Sequence, residues 1–428
     1  MSKRIDLSDW LIHFVHRKNP DNVPLDYTYD EEYDLVEEED ATFPDSFDSN
    51  GKEIYKTIQY EEDYFELSPD EHAFTILKKI LTNGYVKTGW SHRKSTYGQL
   101  KPTIYGPYSA SCFTEMPLYG LIEYAKKRNS ENNVQTYGVA FLKNEMFTYG
   151  ARPVIYGLSN IHSEANNSTD PYFDKGLRCL SHSCGLGLQE QYRYVATNLA
   201  QTNKIDWTHE REWRWADTNN KYETPGLPFY LKDNATNFSR IIVFVSKDEE
   251  AEDLINFLKT LHHATCDPFG REYNLKAIEN TFVLSLESIN KLGLNTSNIR
   301  IDDLPFKSLP AIKQKIEVSA KILKFVKDVW EEACIKAFEE SERIYKSGKY
   351  SGMSAFVNVS TYTSHSEITQ ALIDLGIAKG YADKYYLYGL RTIESMNSVE
   401  VEIAGAKVAA EYLTQKLNQN FHYEYRWD

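Results

Sequence analysis

No window of this 428-residue chain approaches the ~18 uninterrupted apolar residues that a membrane-spanning helix needs, so a membrane span is not expected. The opening MSKRIDLSDWLIHF has no sustained apolar stretch of the kind a secretory signal carries, which makes the cytoplasm the expected location. Cysteine is scarce. Cys112, Cys179, Cys184, Cys266 and Cys334 are odd in number and widely scattered, a pattern that argues against a disulfide framework and for a reducing compartment. Cys179-x-x-His182-x-Cys184 offers two or three zinc-type ligands but no fourth at a recognisable spacing, so no metal is expected there. Positive charge is also in deficit: 48 Lys and Arg against 62 Asp and Glu leave a net charge of −14, which at first disfavours nucleic acid as a partner. Internal repeats and low-complexity tracts are absent.

What is present is unevenly distributed. Between Asp26 and Glu66 stand sixteen acidic residues against Lys52 and Lys56, so this one segment holds the whole net charge of −14 and the remainder is balanced. A basic groove elsewhere is therefore compatible with the composition. The segment is broken by Pro44 and shows neither helical nor alternating apolar spacing; it reads as a surface insertion, either a solvated loop or an electrostatic restraint on a neighbouring groove. Aromatic residues reach 14%, with 31 Tyr, which suits Tyr-rich cores and also interfaces and nucleotide clefts. The length calls for two or three domains.

Along the chain, Leu11–His16 reads as a buried strand. Ser68-Pro69-Asp70-Glu71 offers a helix start, with apolar residues at helical spacing until Gly84. Cys112–Leu118 reads as a strand entering a turn, Leu118–Lys127 as a helix, and Val134–Leu142, Gly150–Gly157, Gln189–Asn198 and Arg240–Val245 as strands. Lys307–Tyr345 has 3.6-residue periodicity and predicts one or two long helices. Beyond the Gly348–Gly352 break a β-α-β-α-β alternation implies a small α/β domain.

The chemically richest stretch is Asp206–Trp215, DWTHEREWRW. Strand alternation puts Glu210, Glu212 and Arg214 on one face, with the two carboxylates roughly 7 Å apart, within reach of one ligand. A solvent-facing strand with cross-strand ion pairs is the plain alternative.

Three pieces occur in order: His13 in LIHF, Thr114-Glu115 in CFTE, and Glu210-x-Glu212. This order resembles the split signature of the ADP-ribosyltransferase superfamily, and LIHF followed by HAFTILKKILTNGYVKTG is similar to the opening of DarT-like members. CFTEMPL, GARPVIYG and WTHEREWRW further resemble bacterial proteins associated with abortive phage infection. The resemblance covers residues 8–245 in scattered short motifs. It implies an α+β fold with an ADP-ribosyltransferase-like mixed-sheet domain over 1–304 carrying the acidic insertion 26–66; the periodicity and alternation beyond it add a helical connector over 305–347 and an accessory α/β recognition or assembly domain over 348–428.

The implied cofactor is NAD. His13, or the rival His72, would contact ribose, Thr114 would shape the nicotinamide pocket, Arg93 or Arg152 would meet the pyrophosphate, and Tyr137 or Tyr156 would stack on nicotinamide. Glu212 would stabilise the cationic sugar in the transition state, while Glu210 would touch ribose or deprotonate the acceptor. The expected activity is a toxin or anti-phage effector modifying a protein or nucleic acid. Two alternatives stand beside it: a catalytically inert sensor or binding component of a defence complex, with the C-terminal domain as partner surface, and a nuclease using Glu210 and Glu212 for Mg²⁺. Each candidate also has a structural reading. His13 suits a hydrogen-bonded core position, Thr114 a helix cap, Arg152 an ion pair, and Trp207, Trp213 and Trp215 a core.

Overall fold

The computed structural model describes residues 8–15, 72–94, 100–116, 137–158, 178–291, 304–308 and 316–427, short stretches inside the later ranges excepted, with a strand pairing of Ser46–Phe47 with Glu53–Ile54. Apart from that pairing, the acidic insertion lies outside the described residues, as do the helix expected over Leu118–Lys127 and the start expected at Ser68. The chain divides into two compact units, one built from residues 1–251 and 280–307, the other from 252–279 and 308–428. The fold is α+β with a mixed sheet, and no helix among the described residues is long and apolar enough to cross a membrane.

The first unit is organised by a sheet whose main strands, in chain order, are β1 (Trp10–Val15), β2 (Ser111–Thr114), β3 (Tyr137–Leu142), β4 (Arg152–Pro153), β5 (Glu212–Trp215), β6 (Ile241–Val245) and β7 (Thr281–Ser285). Their spatial order is β7-β6-β3-β1-β2-β5-β4, with Lys307–Ser308 beyond β7. β6 and β7 run parallel, and IIVFV in β6 is buried at every position, the continuous apolar run that a parallel strand covered on both faces requires. The pairings from β6 across to β4 are antiparallel. Helix α1 (Ala73–Asn83) ends as its sequence predicts. Gly84 adopts φ 73° and its N–H returns to the Ile80 carbonyl. Its N-cap is His72, whose Nδ1 accepts from the Phe74 N–H, which gives the rival ribose contact a local structural task. A short helix α2 (Lys143–Thr148) follows β3.

Register fixes which side chains share a face. Ile12 lies opposite Ala140 and Thr114, and Thr114 lies opposite Glu212. Cross-strand partners project to one side, so Trp10, Ile12, Ala140, Ile242, Phe244 and Leu284 build an apolar cluster against Leu286, Ile289 and Leu304, and the same face continues into Thr114 and Glu212. Leu11, His13 and Val15 project to the other side, with Phe113, Val139 and Phe141.

The second unit departs from the sequence reading. Helix α3 (Asp248–Ala264) crosses the boundary between the units, and residues 252–279 belong to the second. Helix α4 (Ala320–Ser347) is one continuous helix capped by Ser319 and Gly348. It is a core element of this unit instead of a connector, because its stripe Val326, Val329, Trp330, Ala333 and Ala337 packs into the same cluster as the C-terminal strands and helices. The remaining elements are β8 (Ala355–Thr361), α5 (Glu367–Asp374), β9 (Ala378–Tyr381), β10 (Lys384–Leu387), α6 (Val399–Leu417) and β11 (His422–Trp427). The order β9-β10-β8-β11, antiparallel throughout, is a split β-α-β arrangement with one strand more than the alternation predicted.

Helices α4 and α6 meet through small residues. A Cβ on Gly405 would sit 2.9 Å from the Ala337 carbonyl oxygen, backbone that cannot rotate away. Gly405→Val should therefore destabilise the second unit by about 1–3 kcal/mol, the cost of overpacking, read as a lower urea midpoint. Gly270→Ala, where a Cβ would meet nothing within 4 Å, should cost less and mostly through its positive φ of 81°.

Candidate functional site

Glu212 and Glu210 do not form the extended pair that alternation predicts. Asp206 Oδ1 accepts from the Thr208 hydroxyl at 2.6 Å and its N–H at 3.1 Å, an Asx-type turn that starts a short 3-10 segment over Thr208–Glu210. Arg211 then takes a left-handed conformation, φ 48°, before β5 begins at Glu212. Glu210 is thus in the turn and Glu212 on the strand. The Thr114 hydroxyl donates to the Glu210 carbonyl and accepts from the Met116 N–H, so Thr114 clamps this turn to the end of β2.

Glu212, Arg214, Cys112 and Thr114 share one face. The Glu212 carboxylate accepts from Arg214 Nε at 2.7 Å, with only 12% and 6% of the two side chains exposed. The same guanidinium donates to the Tyr192 carbonyl at 2.6 Å and reaches the Tyr194 carbonyl at 3.4 Å, so it ties β5 to the segment before Tyr194. Burial, reinforced by the Glu212 charge, pushes the Cys112 thiol far above its ordinary value and keeps it protonated. Beside them the Tyr156 hydroxyl accepts from the Glu212 N–H at 3.4 Å and donates to the Trp207 carbonyl at 3.2 Å. Burial raises its pKa, and the charges of Glu212 and Glu210 act in the same direction.

Of the other expected residues, Arg152 holds the register position opposite Arg214 and so shares this face, while His13 and Tyr137 do not. His13 lies on the opposite side of the sheet, packed 5.6 Å from the Phe113 ring, with Nδ1 2.9 Å from the Cys112 carbonyl. The expected common cleft of His13, Thr114 and Glu212 is therefore corrected to Thr114 and Glu212 alone. The reason is parity: His13 neighbours Ile12, and Ile12 holds the register position opposite Thr114. Tyr137 projects to the His13 side as well, opposite Val15, and donates its hydroxyl to Glu250 at 2.7 Å. The Arg152 guanidinium donates to the Phe147 and Ala151 carbonyls at 2.7 and 2.8 Å and lies 4.0 Å over the Phe147 ring. Arg93 is on the strand His92–Lys94, paired with Leu100–Pro102, and its side chain lies outside the described residues. Glu115 is on the Trp213 side, bonded to Trp213 Nε1 at 2.8 Å and Lys143 at 3.0 Å.

A ribose contact from His13 and a carboxylate from Glu212 on opposite faces do not fit one NAD molecule. Among the described residues no group of three or more His, Cys, Asp or Glu side chains could hold a metal ion. No protein-family model, no curated protein and no solved structure significantly matches this chain. The residues that sequence reasoning underweighted are Arg214 and Cys112. Both were recoverable, since Arg214 is two positions from Glu212 and Cys112 two from Thr114, the spacing that puts strand residues on one face.

Two measurements test this geometry. Arg214→Ala leaves a carboxylate beside a vacated position and should cost about 3–5 kcal/mol in urea denaturation, with Glu212→Gln/Arg214→Met recovering most of the loss. Desolvation of its half-buried ring lowers the His13 pKa, outweighing the Cys112 carbonyl that raises it. The folded state thus disfavours the proton, so His13 contributes stability above the ordinary value near 6.5 that is lost as pH falls below it. His13→Gln should flatten the drop in urea midpoint between about pH 7.5 and about pH 5.5; an unchanged drop would rule out His13 as its source.

Proposed function

We propose that this chain acts as a binding or sensor component, of the kind expected in a phage-defence complex, and that its first unit has the strand order of a transferase-like domain without consuming NAD. The observation that carries the reading is the register of β1, β2 and β5, which assigns His13 and Glu212 to opposite faces. Glycosyl transfer needs the carboxylate beside the sugar cation and the ribose contact on the same side of the ligand. The partners of each group support the same reading: Arg214 on Glu212, the Cys112 carbonyl on His13, two carbonyls on Arg152 and Glu250 on Tyr137.

One observation favours the transferase. The Tyr156 hydroxyl lies against the Glu212 backbone and feels both Glu212 and Glu210, so a phenol and two acids gather at the start of β5. In that reading Glu212 stabilises the sugar cation, Tyr156 replaces Tyr137 against nicotinamide, and His13 has no part. Nicotinamide release from NAD by the full chain, with wild type and Glu212→Gln side by side and with a candidate nucleic-acid or protein acceptor present, separates the two. The binding reading expects no release above the Glu212→Gln background; release that disappears in Glu212→Gln would overturn it in favour of the transferase.

A further inference from the structure

The second unit has a sheet face turned away from α4, α5 and α6, on which Ser360 and Lys384 are buried and the Tyr381 hydroxyl donates to the Pro268 carbonyl at 3.2 Å. Helices α4, α5 and α6 all pack on the side of Val359, Tyr385 and Leu387. The opposite side is read from the register. Ser360 faces Tyr386 and His422, Asn358 faces Glu424, Phe356 faces Arg426, Tyr386 faces Lys379, and Tyr381 faces Lys384. Phe356 is 61% exposed, and Lys379 and His422 are exposed as well. Tyr362, just beyond β8, turns to the same side, its ring 5.6 Å from the His422 ring.

These rings are held by their polar ends. Glu424 accepts from the Tyr362 hydroxyl at 3.2 Å, the Tyr386 hydroxyl at 3.3 Å, Ser360 Oγ at 2.7 Å and Lys384 Nζ at 2.5 Å. Lys384 Nζ lies 5.4 Å from the centroid of each of the two tyrosine rings, and Tyr381 packs 5.4 Å from Tyr386. One carboxylate thus fixes two aromatic side chains and a cation, and ligand binding would not need to order them. The charge on this face is opposite to that of the chain. Among the described side chains of this face Lys379 and Lys384 stand against one acid, Glu424, in a protein of net charge −14.

We propose that this face binds single-stranded nucleic acid, with Phe356, Tyr362 and Tyr386 stacking on bases and Lys379 meeting the phosphate backbone. Aromatic rings suit any base, since every base has a π-face, and fixed rings beside cations are what a single strand requires. An apolar helix or peptide would have to desolvate the exposed Lys379 ammonium with no compensating charge of its own. The inference rests on the binding reading above, but its readout involves no NAD. Turnover of NAD would overturn that reading and leave this one standing.

The test is fluorescence anisotropy of the full-length chain with labelled oligouridylate and oligothymidylate, and a duplex of equal length, at low ionic strength. Both single strands should bind more tightly than the duplex. Phe356→Ala and Tyr386→Leu should each weaken binding about fivefold or more, and Lys379→Gln should reduce the slope of log affinity against log salt by about 0.7. Tyr425→Ala, an exposed ring on the other face, should bind as wild type. Circular dichroism of each variant establishes that the fold is retained. The proposal fails if neither single strand binds, if Phe356→Ala and Tyr386→Leu match wild type, or if Tyr425→Ala weakens binding as much as they do.

Discussion

The alignment of Ile12, Thr114 and Glu212 across three antiparallel strands is the constraint from which most of the first unit follows. A strand alternates with a period of two, so one shared register decides every neighbour's face. Ile12 and its partners need an apolar cover and receive it from Leu286, Ile289 and Leu304. Two strands along, the same face is too polar for such a cover. There Arg214 and Glu212 neutralise one another and the Thr114 hydroxyl secures the turn before β5. A slip by one residue would move Arg214 among the apolar Trp215 contacts and take Phe113 away from the Phe141 ring it packs against. The apolar half and the ionic half therefore stabilise the same pairing.

The ionic half has consequences for chemistry. A carboxylate serves glycosyl transfer to the extent that it interacts more strongly with the transition state than with its resting surroundings. Glu212 rests on a guanidinium that is itself fixed by the Tyr192 and Tyr194 carbonyls. That partner holds the carboxylate in an ion pair and would have to be loosened for it to serve a sugar cation. The geometry is that of a cross-link between β5 and the preceding segment, and such a link explains a Glu-x-Arg spacing without any substrate.

The strands were readable because their side chains follow a simple alternation: LIHF, CFT and IIVFV stand where their apolar spacing puts them, and Gly84 ends α1. Facing direction was not readable. Strand identity leaves parity open, and His13 differs from Ile12 only by a pairing with residues about a hundred positions away. The break between Glu210 and Glu212 escaped for a different reason. Arg211 is an ordinary strand residue by propensity, and its left-handed backbone is imposed by the Asp206 turn and the Thr114 clamp. The long helix α4 was recognised from its period, but periodicity names a buried stripe without naming its cover, which proves to be α6 and its small residues.

Tyrosine, abundant in the chain, is used differently in the two units. Tyr105 and Tyr230 in the first are core residues at 1% and 0% exposure; the Tyr230 hydroxyl is matched by the buried Thr281, and that of Tyr105 accepts from the Arg178 guanidinium. In the second unit Tyr385 does likewise with His263, but Tyr362 and Tyr386 bring their hydroxyls to a carboxylate on the other face of the sheet. Lys384 and Ser360 are buried beneath the two rings, so the carboxylate they hold is well shielded from solvent. Burial works to raise the Glu424 carboxyl, yet bonds from Lys384 and Ser360 outweigh it and hold the group below its ordinary value, so the anion persists at neutral pH. A permanent anion at the tips of two rings fixes their orientation on the side turned away from α4, α5 and α6, and that orientation is what a stacked ligand would use.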